Sequence, residues 1–288
     1  ISKNWHRHAV MQLKPAAAEF RGRSELRILA RSVLTACEWP EKQAALAALQ
    51  AGLQVGNPIA PDAEGEDVRL PGRPEKPSIV AAQHVPRRGL AGREGRAALL
   101  HAIAHIEFNA INLACDAVQR FSGMPERFYQ DWAQVALDEA RHFALLQTRL
   151  ADFGYTYGDF PAHDGLWQMA ENTRTDCLSR MALVPRLLEA RGLDVTPGMI
   201  DKLRSLGDAE SVAVLEIILA EEVGHVAIGT HWFNFCCQRA NKDPERAFIA
   251  LLQSIGRGAL RGPFNRQARL QSGFTEYELE QISLLGRG

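Results

Sequence analysis

Hydrophobic residues recur along this chain at spacings of three and four positions, and that period predicts helices over most of its length. No stretch alternates with the period of two that a half-buried strand requires, so the pattern predicts an all-α fold. The four longest helical segments, called helices A to D, run from about Arg93 to Phe121, Glu126 to Phe153, Asp164 to Arg191 and Asp208 to Gln238.

Shorter helical patterns flank these four segments. Two precede them, SELRILARSVLTACEW and PEKQAALAALQAG, and the second opens on a proline suited to a first helical turn. Two follow them, one from about Pro244 to Ile255 and a last one opened by a capping box of Thr275 and Glu278. From about Gly56 to Gly92 six prolines exclude a continuous helix, which predicts an extended strap packed over the helices or a partly disordered segment.

These elements predict one structural domain in three parts. Residues 1–92 would form N-terminal helices and a proline-rich strap, 93–240 a four-helix bundle, and 241–288 a C-terminal helical extension. The run GLDVTPGMIDKLRSLGD predicts an interruption at Gly192 after helix C. A short helix capped by Thr196 and Pro197 would then continue to a bend near Gly207.

Two glutamate–histidine pairs lie on faces that otherwise read as buried. Glu139 and His142 occur in DEARHFALL, and Glu222 and His225 occur in AEEVGHVAI at the same spacing. Residues three apart share one face of a helix, and here that face is apolar. Glu107 lies on the corresponding face of helix A. Because a buried carboxylate is costly unless it is paired, protonated or bound to a metal, these glutamates need a common explanation.

The spacing of the glutamates supplies that explanation. Glu107 precedes Glu139 by 32 positions, and Glu189 precedes Glu222 by 33. Gly123 lies 16 residues from both Glu107 and Glu139, so a hairpin bend there would bring the two to the same height. Two helices that each give one glutamate, and two that each give Glu-x-x-His, form the dinuclear carboxylate site of ferritin-like bundles. The predicted metal ligands are Glu107, Glu139, His142, Glu189, Glu222 and His225.

Some assignments within this set stay open. Glu221 is an alternative to Glu222, because it pairs with His225 at a spacing of four. Glu189 shares its face with Arg186, and a simple ion pair could satisfy it. The residues interpreted as packing, hydrogen-bonded or surface groups without a metal or radical role are His101, His105, His231, Tyr129, Tyr155, Tyr157 and Tyr277.

Several of these segments together resemble a known family. RRGLAGREGRAALLHAIAHIEFNAINLACDAVQRF, DEARHFALL, VPRLLEARGLDVTPGM, AEEVGHVAIGTHWF and GPFNRQARLQSGF are similar to the bacterial ferritin-like family catalogued as domain of unknown function 455. The resemblance covers nearly the whole chain. It implies a ferritin-like fold and metal ligands at the six residues named above, but no established substrate.

The ligand set favours an oxygen-activating di-iron oxidoreductase or hydroxylase, with manganese or a mixed manganese–iron pair as the alternative metals. Its expected partners are O₂, a small-molecule substrate and an unidentified electron donor, and we expect a monomer or a small homo-oligomer. Iron oxidation and storage is a second hypothesis, and hydroxylation of modified tRNA is a variant of the first. A metal-free structural bundle would leave the buried glutamates unexplained.

Composition adds few constraints. A net charge of -1 and a pI near 6.8 give no field that attracts nucleic acid or anionic membrane. The late arginines Arg257, Arg261, Arg266 and Arg269 are interpreted as a solvated cluster. No window suggests a membrane span and the N-terminus lacks a secretory pattern, so the cytoplasm is the expected compartment. The five cysteines form no CxxC pair, and we expect them to be reduced and mostly buried.

Overall fold

The protein is all-α throughout the residues that the computed structural model describes, which are 25–60, 64–254, 260 and 262–286. Within these ranges the only β pairing is an isolated parallel bridge between Ile79 and Ala162. The predicted fold class is therefore confirmed. The helices are α1 Leu26–Thr35, α2 Trp39–Gln54, α3 Arg93–Arg120, α4 Glu126–Asp152, α5 Gly165–Asn172, α6 Cys177–Leu183, α7 Ala190–Ser205, α8 Ala209–Arg239, α9 Pro244–Ser254, α10 Arg266–Gln271 and α11 Glu276–Leu285.

Helices α3 and α4 form the hairpin predicted for helices A and B. Gly123 lies between them at a φ of 68°, in the left-handed region that glycine adopts without strain. The hydroxyl of Tyr129 donates to the carbonyl of Phe121 at 3.0 Å and fastens the two ends of the bend. Because α3 and α4 pack along each other, Glu107 and Glu139 reach the same level of the hairpin.

Helix C departs from its prediction. The chain breaks between α5 and α6, and Asp176 then caps α6 by accepting from the backbone N–H groups of Leu178 and Ser179. The predicted interruption at Gly192 is wrong, because α7 runs through that residue without a break. A helical glycine costs only about 1 kcal/mol, which the packing of α7 against α8 outweighs.

The predicted cap at Thr196 and Pro197 is also wrong, since both residues lie inside α7. Proline at this position removes the N–H that would bond to the carbonyl of Leu193. The side-chain amide of Asn265 donates to that carbonyl at 3.1 Å instead. A remote residue thus satisfies the group that the proline leaves unpaired. The bend that follows α7 contains Gly207 at a φ of 73°, where the sequence predicts it.

The flanking segments pack against the central helices. Helix α1 contacts α3, and α2 contacts α4. The strap is held by hydrogen bonds to its main-chain groups. Its Gly72 N–H donates to the Leu34 carbonyl at 2.7 Å, and its Arg69 carbonyl accepts from the indole N–H of Trp167 at 3.0 Å. These bonds favour the packed strap over the disordered alternative for the described part of that segment.

The C-terminal helices contact the second half of the chain. The predicted capping box of Thr275 and Glu278 is present at the start of α11. Arg269 is not the solvated residue expected from the sequence, because it is buried and lies 2.8 Å from Asp194. Arg266 does lie at the surface, where it pairs with Glu276. Arg257 and Arg261 lie outside the described residues.

Helix α3 corrects one expectation from the sequence. By length and composition it is apolar enough to cross a membrane, but 78% of its 18-residue apolar window is buried by the rest of the protein, as in a core helix. The cysteines are free, as expected: Cys115, Cys236 and Cys237 are buried, Cys177 is half-buried and Cys37 is exposed.

Candidate metal centre

Four of the six predicted ligands converge in the interior between α3, α4 and α8. Glu107, Glu139, His142 and Glu222 each offer one ligand atom, and these atoms lie within 4.8 Å of one another. The Nδ1 atom of His142 is 3.2 Å from Glu107 Oε2 and 3.3 Å from Glu139 Oε2. Chain segments that are remote in sequence thus meet at one point, as the spacing of the glutamates predicts.

His225 joins the cluster from α8. Its Nδ1 atom is 2.9 Å from Glu139 Oε1 and 3.6 Å from Glu222 Oε1. Despite the short distance, neither His225 Nδ1 nor Glu139 Oε1 has a hydrogen-bond partner within the described protein. The ring centroids of His142 and His225 are 5.7 Å apart. Glu139 therefore lies between the two imidazoles, with one oxygen directed to each.

Glu189 approaches from the remaining side. The chain makes a π-helical turn over Val184–Glu189 between α6 and α7, and Glu189 ends that turn. Its Oε2 atom is buried and has no hydrogen-bond partner among the described residues. Burial and the charges of Glu222 and Glu139 raise the pKa of Glu189. The alternative ion pair with Arg186 does not form, because Arg186 lies 2.7 Å from Glu278.

The π turn depends on a close approach to α8. Pro185 lies within the turn, and a proline cannot donate the usual helical hydrogen bond. A Cβ atom at Gly229 would lie 2.4 Å from the Cβ of Pro185, so only glycine admits this contact. Pro185, a proline within a helical run, is the sequence signal for this irregular turn. The periodicity of apolar residues alone does not predict the turn. Such turns recur at functional sites.

A second layer of carboxylates holds the histidines. His142 Nε2 lies 2.8 Å from Glu221 Oε2, and His225 Nε2 lies 3.5 Å from Asp138 Oδ2. Each histidine therefore turns Nδ1 inward and Nε2 toward a carboxylate of the other helix. Arg141 contacts both carboxylates. Glu221, the alternative ligand, lies on the outer side of His142, while Glu222 belongs to the inner group. The role of Asp138 was not predicted.

The electrostatics of the cluster are unfavourable for carboxylates alone. Burial and the neighbouring carboxylates raise the pKa of Glu107 and of Glu222. Burial opposes ionisation of Glu139 as well, but the two histidines outweigh it and hold its pKa well below the usual range. Burial lowers the pKa of His142, and hydrogen bonds to Glu107 and Glu139 more than reverse this. A cation bound among these groups would instead favour the ionised form of the buried carboxylates.

A cavity of about 330 Å³ opens onto the carboxylate side of the cluster, between α3, α7 and α8. The four glutamates that line it are Glu107, Glu139, Glu189 and Glu222. The apolar lining includes Ile103, Ala110, Leu113, Leu188, Leu215 and Ile218. His142 and His225 do not border this cavity. The cluster therefore has an imidazole side that faces the outer carboxylates and a carboxylate side that faces an apolar space.

The other histidines and tyrosines near α3 are engaged elsewhere. The ring of His101 accepts from the Gly158 backbone N–H at 2.9 Å, and His105 Nδ1 lies 2.8 Å from the hydroxyl of Tyr157. His231 is exposed. These positions agree with the interpretation of all three histidines as packing, hydrogen-bonded or surface residues.

Comparison with known proteins extends the description beyond this chain. Residues 34–280 match the family model described as "Protein of unknown function (DUF455)". A protein of Haemophilus influenzae (strain ATCC 51907 / DSM 11121 / KW20 / Rd), described as "Uncharacterized protein", is 48% identical over 216 residues, which cover 73% of this chain and 75% of the relative. No solved structure matches the chain. This chain therefore belongs to the family of proteins of unknown function designated DUF455.

Proposed function

We propose that this protein holds two metal ions, most simply iron, in a ferritin-like four-helix bundle and oxidises an organic substrate with O₂. The bundle would consist of α3, α4, the α6–α7 stretch and α8. The observation that carries the proposal is the convergence of Glu107, Glu139, His142 and Glu222 within 4.8 Å in the interior. Glu189 and His225 complete the donor set from the two remaining sides.

The donor atoms fit a pair of cations. The buried atoms Glu139 Oε1, Glu189 Oε2 and His225 Nδ1 have no hydrogen-bond partner within the described protein, and each is a metal ligand by type. Four carboxylates would neutralise the charge of two divalent ions, and Glu139 would offer them one oxygen on the side of each histidine. A set of carboxylates with two imidazoles suits iron or manganese. Structural zinc sites, by contrast, are often rich in thiolates.

The chemistry that a di-iron pair supplies when bound is the reduction of O₂. Hydroxylation would place one oxygen atom in the substrate and release the other as water, using two electrons from an external donor and two protons. The chain's own contribution is positional. Glu221 and Asp138 orient His142 and His225 through their outer nitrogens, and the apolar cavity excludes water on the carboxylate side.

The cavity also bears on the alternative functions. An iron store requires a polar route for hydrated ferrous ions, whereas the described lining of this cavity is mostly aliphatic. A tRNA substrate would require free arginines, but of the late arginines that the structure describes, Arg266 is paired with Glu276 and Arg269 with Asp194. Both observations favour oxidation of a small organic molecule.

Metal analysis and spectroscopy test the proposal. The protein is reconstituted anaerobically with ferrous iron and then exposed to O₂, and the centre is followed by absorption and Mössbauer spectroscopy. We expect two irons per chain and a coupled diferric signal. His142→Ala and His225→Ala should each lower the metal content with the helical signal unchanged, while His231→Ala, at an exposed position, should leave it at two. Full metal content in both of the first two variants would exclude these histidines as ligands.

A further inference from the structure

We infer that the cavity beside the cluster is a binding site for a small, uncharged, apolar organic molecule, such as a single ring or a short aliphatic chain. Its identification as the substrate site rests on the proposed function, but the binding itself does not. The inference depends on the shape, lining and charge of the cavity, and on its contact with the glutamates.

The lining changes in character from the surface to the interior. At the outer end lie Ile106, which is 47% exposed, the exposed His163, and Arg191, whose side chain is 37% exposed. The walls between the outer end and the glutamates are aliphatic. A molecule that enters would exchange water for hydrocarbon contact along its whole length and would end against the carboxylates.

The charges of the cavity exclude ionic ligands. The glutamates at the inner end provide no cationic partner for an anion, and the described wall residues offer a carboxylate no cation at that depth. Among the described lining residues the arginine is Arg191, which lies 3.6 Å from Asp194 and donates to the Pro263 carbonyl at 3.3 Å, so its guanidinium already has partners. A cationic ligand would lose its hydration against aliphatic walls without a partner along them.

The volume limits the size of the ligand. A dry cavity of roughly 150 Å³ lined by Leu, Ile and Phe accepts benzene, and small-molecule pockets range from about 300 to 1,000 Å³. At about 330 Å³ this cavity belongs to the lower end of that range. It admits one ring with a short substituent, or a chain of comparable volume, rather than a nucleotide or a long lipid.

Toluene binding tests the inference with the full-length protein as isolated. Titration calorimetry measures the binding of toluene and, in a separate titration, the binding of benzoate. Metal content is determined on the same samples. Gly192→Leu fills the cavity, because a Cβ at this lining residue meets no atom within 4 Å. Gly198→Leu is the matched control on the same helix, equally free of contacts but exposed and outside the cavity. Val195→Phe is a second filling variant.

We expect toluene to bind the unsubstituted protein and Gly198→Leu with the same affinity. It should bind Gly192→Leu and Val195→Phe at least tenfold more weakly. Benzoate should not bind. Equal binding to all four proteins, no toluene binding at all, or binding of benzoate alone would overturn the inference. Toluene binding that Gly192→Leu weakens, in a protein that takes up no iron or manganese even on anaerobic reconstitution, would refute the dinuclear proposal and leave this inference standing. A protein that binds two metals but no toluene would refute this inference and leave the dinuclear proposal standing.

Discussion

At the scale of single residues, Glu139 is the most constrained group of the centre. Its two oxygens face His142 at 3.3 Å and His225 at 2.9 Å, and its side chain is almost fully buried. Asp138 and Glu221 directly precede the candidate ligands Glu139 and Glu222, and each contacts the histidine of the opposite helix. In both helices the local order is an acidic residue followed by Glu-x-x-His. The glutamate of each motif lies inside the cluster, and the acidic residue before it contacts the histidine of the opposite helix.

The first residue-scale prediction concerns these outer carboxylates. Asp138→Asn and Glu221→Gln should each weaken metal binding roughly 10–100-fold, because a histidine ligand loses the charge that orients its ring and raises its basicity. Competition against a chelator of known affinity measures the change. Glu210→Gln, on α8 and with its side chain 72% exposed, is the control and should bind metal as the unsubstituted protein does. Unchanged affinity in both test variants would contradict the role assigned to the outer layer.

A second residue-scale prediction concerns acid stability. Burial, with the nearby His105, lowers the pKa of His101 to about 4 from its ordinary 6.5. The unfolded chain therefore takes up a proton between these pH values that the folded chain does not. The stability that neutral His101 provides is complete above about pH 6.5. It is lost progressively as the pH falls to 4, by up to about 3 kcal/mol.

Urea unfolding of the protein and of His101→Gln between pH 7.5 and 4 measures this effect. We expect the free energy of unfolding of the unsubstituted protein to fall more steeply with acidification than that of the variant. The contact that breaks is the 2.9 Å hydrogen bond from the Gly158 N–H to the ring, since a protonated ring nitrogen cannot accept it. Parallel stability curves would contradict the assignment of a neutral, buried ring to His101.

At the scale of secondary-structure elements, the C-terminal segment holds the irregular helix that carries Glu189. Arg186 lies in the π turn, pairs with Glu278 at 2.7 Å, and is stacked by Phe233, Phe248 and Phe274 at 4.1–4.8 Å. Farther along, Asp194 pairs with Arg269, and Asn265 satisfies the carbonyl left free by Pro197. The C-terminal segment thus provides contacts at both irregular positions of this stretch, the π turn at Arg186 and the missing N–H at Pro197.

Removing one partner of the buried pair should be costly. Glu278→Ala leaves the guanidinium of Arg186 buried and uncompensated, and we expect a loss of about 3–5 kcal/mol in the free energy of unfolding. Glu276→Ala, two residues away on α11, removes an exposed pair with Arg266 and should cost less than about 1 kcal/mol. Denaturant unfolding of both variants gives the comparison. Similar small losses in the two variants would show that the pair does not stabilise the π turn.

At the scale of the whole molecule, one chain supplies all six ligand candidates. The six ligand candidates come from α3, α4, the π turn and α8, and the cavity is lined by residues of α3, α4, α7 and α8 and of the segment that precedes α7. One buried cluster of apolar residues extends from α1 to α11, so the flanking helices share the core of the central ones. The division into residues 1–92, 93–240 and 241–288 stays a prediction.

A small assembly without an iron core is the expectation at this scale. Because each chain encloses its own centre, no shell of subunits is needed to form it, and iron added beyond two per chain under O₂ should not be mineralised. Light scattering combined with iron titration tests this. A shell of a dozen or more subunits that takes up hundreds of irons would favour storage. A small assembly that binds neither iron nor manganese would favour a structural role.

The sequence by itself determined the features that depend on local periodicity. The 3.6-residue repeat of apolar positions predicts α3, α4 and α8 almost to the residue, because it reports which face of each helix is buried. The same repeat places Glu139 with His142 and Glu222 with His225. Glu107 and Glu139 lie at equal sequence distances from Gly123, which predicts that they meet. In a helical hairpin, residues equally far from the bend lie at the same height along the two helices.

Only the tertiary structure decided the remaining features, because they depend on contacts between remote residues. The continuity of α7 through Gly192 and Pro197 depends on packing against α8 and on a hydrogen bond supplied by Asn265, and neither contact is local in sequence. The position of Glu222 inside the cluster and of Glu221 outside it depends on which side of His142 each side chain occupies. The outer contact of Asp138 and the cavity beside Glu189 exist only between helices, where no sequence period can report them.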